Sequence, residues 1–182
     1  MNHSVKRPPD EFTTHRLLCR RTRPDDAVTI FSSYAADPEV TRFLSWKPHA
    51  SIESIIEVVS TQIAAWEKGT AFRFELCLKE TDLPIGAIGL HPEGSKVSFG
   101  YVLTKAFWGR GLMVEPLEYL VNWSLSQPEI YRAYAYCDVE NLSSARVMEK
   151  AGMTREGILR RWHVCPTIGP EPRDCFVYAR TK

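Results

Sequence analysis

Trp108-Gly109-Arg110-Gly111 stands where a strand-like run ending near Thr104 gives way to a helical one. Glycines at such a junction let the backbone approach a bound group with no side chain in the way. The helix behind them exposes unpaired N–H groups and the positive end of its dipole, which suits a phosphate. Arg110 can add a full charge. The run has neither the Gly-Lys-Ser/Thr of a P-loop nor the Gly-x-Gly-x-x-Gly dinucleotide fingerprint. By itself it reads as an anion loop or as a turn that carries two glycines.

The elements that must position these groups follow from periodicity. "HRLLCRRT" reads as a first strand, and Pro24-Asp25-Asp26 opens a helix on which Ala27, Ile30, Phe31 and Tyr34 recur at helical spacing. A second helix runs from Ser51 to Gly69, with Ile52, Ile55, Ile56, Val59, Ile63 and Trp66 as its stripe. Three strands follow, Ala71–Glu80, Pro84–Glu93 and Lys96–Thr104, then the helix behind Gly111. Ile130–Val139 alternates as another strand, Asn141 caps a short helix that Gly152 stops, and two strands finish the chain. The order β-α-α-β-β-β-α-β-α-β-β predicts an α/β (α+β) domain with a mixed central sheet of about seven strands and helices on both faces. Residues 1–14 read as a flexible N-terminal arm and 15–182 as a single domain.

Bulk properties narrow the class. A chain of 182 residues, 44% apolar and 25% charged, matches one globular domain. With 23 basic against 22 acidic residues, the net charge of +1 argues against a partner such as DNA or RNA. Five cysteines, widely spaced, show no metal or disulfide pattern, so no metal is expected. No apolar run approaches a membrane span and no secretory h-region appears, so no membrane partner is expected and a cytoplasmic location is the natural reading.

Four segments together resemble the GNAT superfamily of acetyl-CoA-dependent N-acetyltransferases: "DPEVTRFLSW", "PIGAIGL", "VSFGYVLTKAFWGRGLMVE" and "DVENLSSARVMEKAGMTREG". Within it the RimJ/RimL-like branch is nearest, whose best-known members acetylate ribosomal-protein N-termini. The resemblance implies the GNAT fold with splayed parallel strands 4 and 5, acetyl-CoA as cosubstrate, and an amine acceptor. Val102 and Leu103 would offer backbone groups to the pantetheine arm, Gly109, Arg110, Gly111, Leu112 and Met113 would hold the pyrophosphate, and Asn141 would contact the arm. Ser144 would serve the departing sulfur and His163 would be the base. Phe43, Trp46 and Trp162 would line the acceptor pocket, with Arg42 or Arg173 recognising an acidic group. The sequence departs from the family at Ala106, the first position of the phosphate loop, at Pro116, and at Met148, where many members carry a tyrosine that protonates sulfur. Glu75 and Glu93 are the fallback bases through water, and a Cys137 acyl-enzyme is disfavoured. A second reading is a non-catalytic acyl-CoA-binding module of the same fold. The acceptor, a longer acyl donor, and monomer against homodimer stay open.

Overall fold

Alternating apolar residues drive the middle of the chain into strands. The computed structural model, which describes residues 6–182, joins three of these as antiparallel neighbours: β3 (Phe72–Leu78), β4 (Pro84–Glu93) and β5 (Lys96–Leu103). β1 (Glu11–Thr13) and β2 (Leu17–Arg21) extend the sheet on the β3 side. On the other side lie β6 (Arg132–Asp138), β8 (Pro172–Thr181) and the edge strand β7 (Thr154–Val164). The eight strands run in the order β1-β2-β3-β4-β5-β6-β8-β7.

The expected seven strands fall one short because β1 lies inside the stretch read as a flexible arm. Phe12 is the reason. Its ring stacks on Tyr119 at 4.0 Å between centroids and meets Phe74 edge-on at 5.1 Å, so the strand that carries it is anchored in the core. Residues 1–5 of that arm lie outside the described residues.

Helices cover both faces. α1 (Asp26–Ile30), extended by a π-helical turn over Phe31–Ala35, and α2 (Ile52–Lys68) bury Ile30, Tyr34, Ile55 and Val59 against Ala87 and Val102. α3 (Val114–Ser126) and α4 (Leu142–Lys150) bury Leu117, Leu120 and Met148 with Ile88, Ala133 and Ala135. Strand alternation makes these two sets opposite sides of the sheet, since Ala87 and Ile88 are neighbours on β4.

Asn141 caps α4 as its sequence position predicts, its side-chain oxygen accepting the Ser144 N–H at 3.2 Å. Losing such a cap costs about 1 kcal/mol. Asn141→Ala is therefore expected to lower Tm by about 2–4 °C, and calorimetry that finds no change would show that the cap carries no stability.

Candidate active site

Among the described residues β5 and β6 are the one parallel pair in the sheet, and they are paired over a short stretch: Lys96↔Arg132, Val97↔Ala133 and Ser98↔Tyr134. Beyond Ser98 and Tyr134 the strands part. The hydrogen bonds show which backbone groups the opening receives. Ser95 O accepts from Tyr131 N at 2.9 Å on the β6 side, whereas Thr104 N donates to Ile85 O at 2.8 Å on the β4 side. The β4–β5 register is unbroken from Lys96 to Leu103, so odd-numbered residues turn their backbone groups to the opening and even-numbered ones to β4. Leu103 thus stands on the free edge. Val102 does not: its N–H and C=O face β4, and Phe99 and Tyr101 take the edge positions instead. The Leu103 carbonyl already accepts the Trp108 indole N–H at 2.7 Å.

The loop Gly109–Met113 follows β5 after a short turn and leads into α3. Gly109 and Gly111 have φ of 73° and 70°. A Cβ at Gly109 would meet nothing within 4 Å, and one at Gly111 only Arg16 Nη2 at 3.7 Å. Their first requirement is therefore the left-handed backbone, which other residues adopt at a cost. Leu112 and Met113 bury their side chains in the core and anchor the loop from below. Among the described residues no protein acceptor takes the backbone N–H of Gly109, Arg110, Gly111, Leu112 or Met113. Pro116, third in α3, lacks an N–H that would have had no helical partner anyway, so this departure from the family is cheap. Ala106 sits in a short 3₁₀ turn, Lys105–Phe107, ahead of the loop.

Glu115, in the first turn of α3, ties this loop to the start of β2. It accepts Arg16 Nε at 2.5 Å and Thr14 Oγ1 at 2.6 Å, while Arg16 Nη1 reaches Arg110 O at 2.8 Å. The Arg110 guanidinium lies 5.3 Å over the Phe107 ring and forms no ion pair among the described residues. It borders a cleft of about 350 Å³ lined by His15, Arg16, Lys79 and Glu80 together with the apolar Leu78, Phe107 and Leu112.

Ser144 occupies the first turn of α4 on the α3/α4 side. Its hydroxyl lies 2.7 Å from the Tyr101 hydroxyl, a contact that sequence spacing of 43 residues could not reveal. Cys137, on β6, lies beside it; burial pushes this thiol up to about 11, which with no histidine partner removes it as a nucleophile. Met148, where many relatives carry tyrosine, is fully buried.

His163 is on the other side of the sheet. Tyr134 and Tyr136 alternate on β6 with the core residues Ala133, Ala135 and Cys137, so they face away from α4. The His163 ring packs on Tyr136 at 5.3 Å, with Nδ1 at 3.5 Å from its hydroxyl, the outer limit of a hydrogen bond. Burial holds the His163 imidazole below its ordinary value, partly offset by the Asp138 charge. Trp162, 53% exposed, packs on the same tyrosine. Ser144 and His163 are thus not brought into contact; the structure sets them on opposite faces of the opened sheet.

The remaining candidates divide. Phe43 carries Arg42 over its face at 5.0 Å, and Trp46 packs beside His49 at 5.3 Å against the α1/α2 cluster; the aromatic partner of Trp162 and His163 is Tyr136, not these two. Arg173 is not free to recognise an acidic acceptor, because Asp138 and Glu140 already neutralise it. Glu75 is not a free base. It is fully buried and accepts from Thr22 and Arg73 at 2.8 Å each and from Tyr34 at 3.1 Å. Glu93 is exposed enough to reach water, but although burial works to raise it, hydrogen bonds from Ser98, Tyr134 and Lys96 hold its carboxyl below the usual range. That makes it a weak base.

The mixed α/β sheet thus opens between its parallel strands, and among the described residues the N–H groups of the loop after β5 have no protein acceptor. The sequence profile of the acetyltransferase (GNAT) domain matches residues 16–154. The chain belongs to the GNAT family and is an acetyltransferase. The uncharacterized N-acetyltransferase YoaA of Bacillus subtilis (strain 168) is 30% identical over 172 residues, covering 93% of this chain and 95% of its own. RimL, the ribosomal L7/L12 alpha-N-protein acetyltransferase in complex with coenzyme A, has the same fold at a TM-score of 0.81 and 21% identity, over 92% of this chain and 95% of that one. The microcin C7 self-immunity acetyltransferase MccE, in complex with acetyl-CoA and AMP, matches at 0.85 and 16%, over 98% and 99%. Among the described residues no helix is long and apolar enough to cross a membrane, and no cluster of His, Cys, Asp and Glu is placed to hold a metal ion.

Proposed function

We propose that this acetyltransferase moves the acetyl group of acetyl-CoA to a primary amine, on a protein or peptide N-terminus or a small molecule, by direct attack in a ternary complex. One observation carries the reading: β5 and β6 separate after Ser98 and Tyr134, and among the described residues the N–H groups of the following loop, Gly109–Met113, have no protein acceptor. A diphosphate supplies the oxygens such a fan lacks. Arg110, which forms no ion pair among the described residues, adds charge for the phosphate-rich end of the coenzyme.

The edge groups of Phe99, Tyr101 and Leu103 offer strand-like hydrogen bonds to the amides of the pantetheine arm, and one N–H among them stabilises the developing oxyanion. Asn141 is engaged as a helix cap, which leaves its NH₂ available for the arm. The acceptor approaches from the face of Tyr134, Tyr136, Trp162 and His163. There a neutral His163 takes the proton of the acceptor's ammonium, which frees the lone pair that attacks the thioester carbonyl, while Ser144, across the sheet, hydrogen-bonds the sulfur as the C–S bond breaks.

A thiol-release assay with acetyl-CoA and a panel of peptides and small amines tests this. The expected result is saturable release that depends on one class of primary amine. Release that is insensitive to every amine offered, in protein that binds acetyl-CoA, would point to hydrolysis or simple binding and overturn the reading.

A further inference from the structure

Ser144 alone is a poor partner for a thiolate. A serine hydroxyl is a weak acid and a free rotor, and in this site nothing on α4 itself fixes where its hydrogen points. Among the described residues, the one side-chain hydroxyl within reach comes from β5. Tyr101 places its oxygen 2.7 Å from Ser144 Oγ and 3.2 Å from the Ser144 carbonyl. The tyrosine is held from both ends, because its backbone is fixed in β5 opposite Ile88 of β4 and its ring packs into the α3/α4 core.

Resting on the acetyl-transfer reading above, we infer that Tyr101 is a positioning residue that aims the Ser144 hydroxyl at the departing coenzyme sulfur.

Two hydrogen arrangements satisfy this trio. In one, Ser144 donates to the Tyr101 oxygen and Tyr101 donates to the Ser144 carbonyl. In the other, Tyr101 donates to Ser144 Oγ, which frees the serine hydrogen. The second is selected as the tetrahedral intermediate collapses: the C–S bond breaks, its electron pair goes to sulfur, and the serine O–H donates to that anion. No proton need leave the tyrosine. Burial, with the nearby Cys137 and Tyr178 adding to it and Ser144 opposing, pushes the Tyr101 phenol far above its usual range, so it stays a donor throughout. Cys137, the other ionisable group beside Ser144, is also kept neutral near pH 8 by burial. The amine's proton leaves by the opposite face, so acid and base duties do not compete.

Tyr101→Phe keeps the ring and removes only the hydroxyl, so packing survives. A hydrogen bond to a charged group is worth about 1.5–3 kcal/mol, so Ser144→Ala is expected to lower kcat by about 10–100-fold. Tyr101→Phe, acting through the serine, should lower kcat by about tenfold with acetyl-CoA affinity and Tm nearly unchanged. In the Ser144→Ala background the same substitution should lower kcat no further. Equal losses in both backgrounds, or no loss in either single variant, would overturn the inference.

A second measurement needs no acceptor and so stands apart from the fate of the acetyl-transfer reading. The thiol of bound CoA is titrated by thiolate absorbance, with coenzyme-free protein subtracted. Tyr101→Phe is expected to raise its midpoint by about one pH unit, the equivalent of the tenfold loss, and Ser144→Ala to raise it at least as far. An unmoved midpoint in Tyr101→Phe sinks the positioning role whether or not an amine acceptor is found.

Discussion

Replacing Gly111 with valine is expected to weaken acetyl-CoA binding by roughly 100-fold while leaving the fold in place. Gly111 has φ of 70°, a conformation that costs a non-glycine residue about 1–3 kcal/mol, with a β-branched side chain at the upper end. In the free protein the valine variant relaxes into another backbone conformation. Binding must then restore the original one, so the strain appears in Kd, at about tenfold for each 1.4 kcal/mol. The sequence points to close backbone approach as the reason for these glycines; the structure adds the left-handed φ, because a Cβ at Gly111 meets only the far end of the flexible Arg16 at 3.7 Å. That loose surrounding is also why Tm should barely move. Gly111→Ala, without the β-branch, should lose nearer tenfold. Titration calorimetry of both variants checks the order. Wild-type affinity in a folded Gly111→Val would mean that the loop is not where the coenzyme's phosphates bind.

How much of this was legible beforehand divides along a physical line. Elements set by local periodicity were readable: the stripe of α2 apart from Ile56, which is exposed, the alternation of β6, the Gly69 stop and the Asn141 cap all lie where side-chain spacing puts them. The GNAT motifs then fixed the path of the sheet, including its parted parallel pair. What spacing could not supply was anything that depends on two distant segments meeting. β1 exists because Phe12 finds Tyr119 and Phe74, neither of them a neighbour in sequence. Val102 and Leu103 look equivalent as letters, yet strand register turns one toward β4 and the other toward the opening. Tyr101 reads as an ordinary strand aromatic until α4 folds over it and brings Ser144 to its hydroxyl. Arg173 reads as a free cation until Asp138 and Glu140 close on it. Chemistry-bearing types were visible; which of them were already engaged was not.

That difference matters most for the base. Among the groups on the face proposed for the acceptor, Glu75 is locked in a buried network and Glu93 is held below the usual carboxylate range, whereas His163 is half-buried and, among the described residues, has no carboxylate within hydrogen-bond distance. The neutral imidazole is the competent form, so activity falls as pH drops through the His163 pKa. Burial lowers that pKa, so the limb belongs below about 6.5 rather than around it. With an α-amine acceptor, whose own pKa is near 8, log kcat/KM should rise in two segments. The upper segment reports the amine, and the steeper one below it reports His163 and the amine together. His163→Ala is expected to lower kcat/KM by about 100-fold at neutral pH and to leave a single gradient across the whole acid side. An acceptor of lower amine pKa should shift the upper break and leave the lower one in place. Protonating a group that the fold keeps neutral also weakens the native state as pH falls below about 6.5, so Tm measured at each pH separates unfolding from a true rate effect. If the steeper segment persists in His163→Ala, the proton leaves by another route, and Glu93, reached through water from the same face, becomes the residue to replace next.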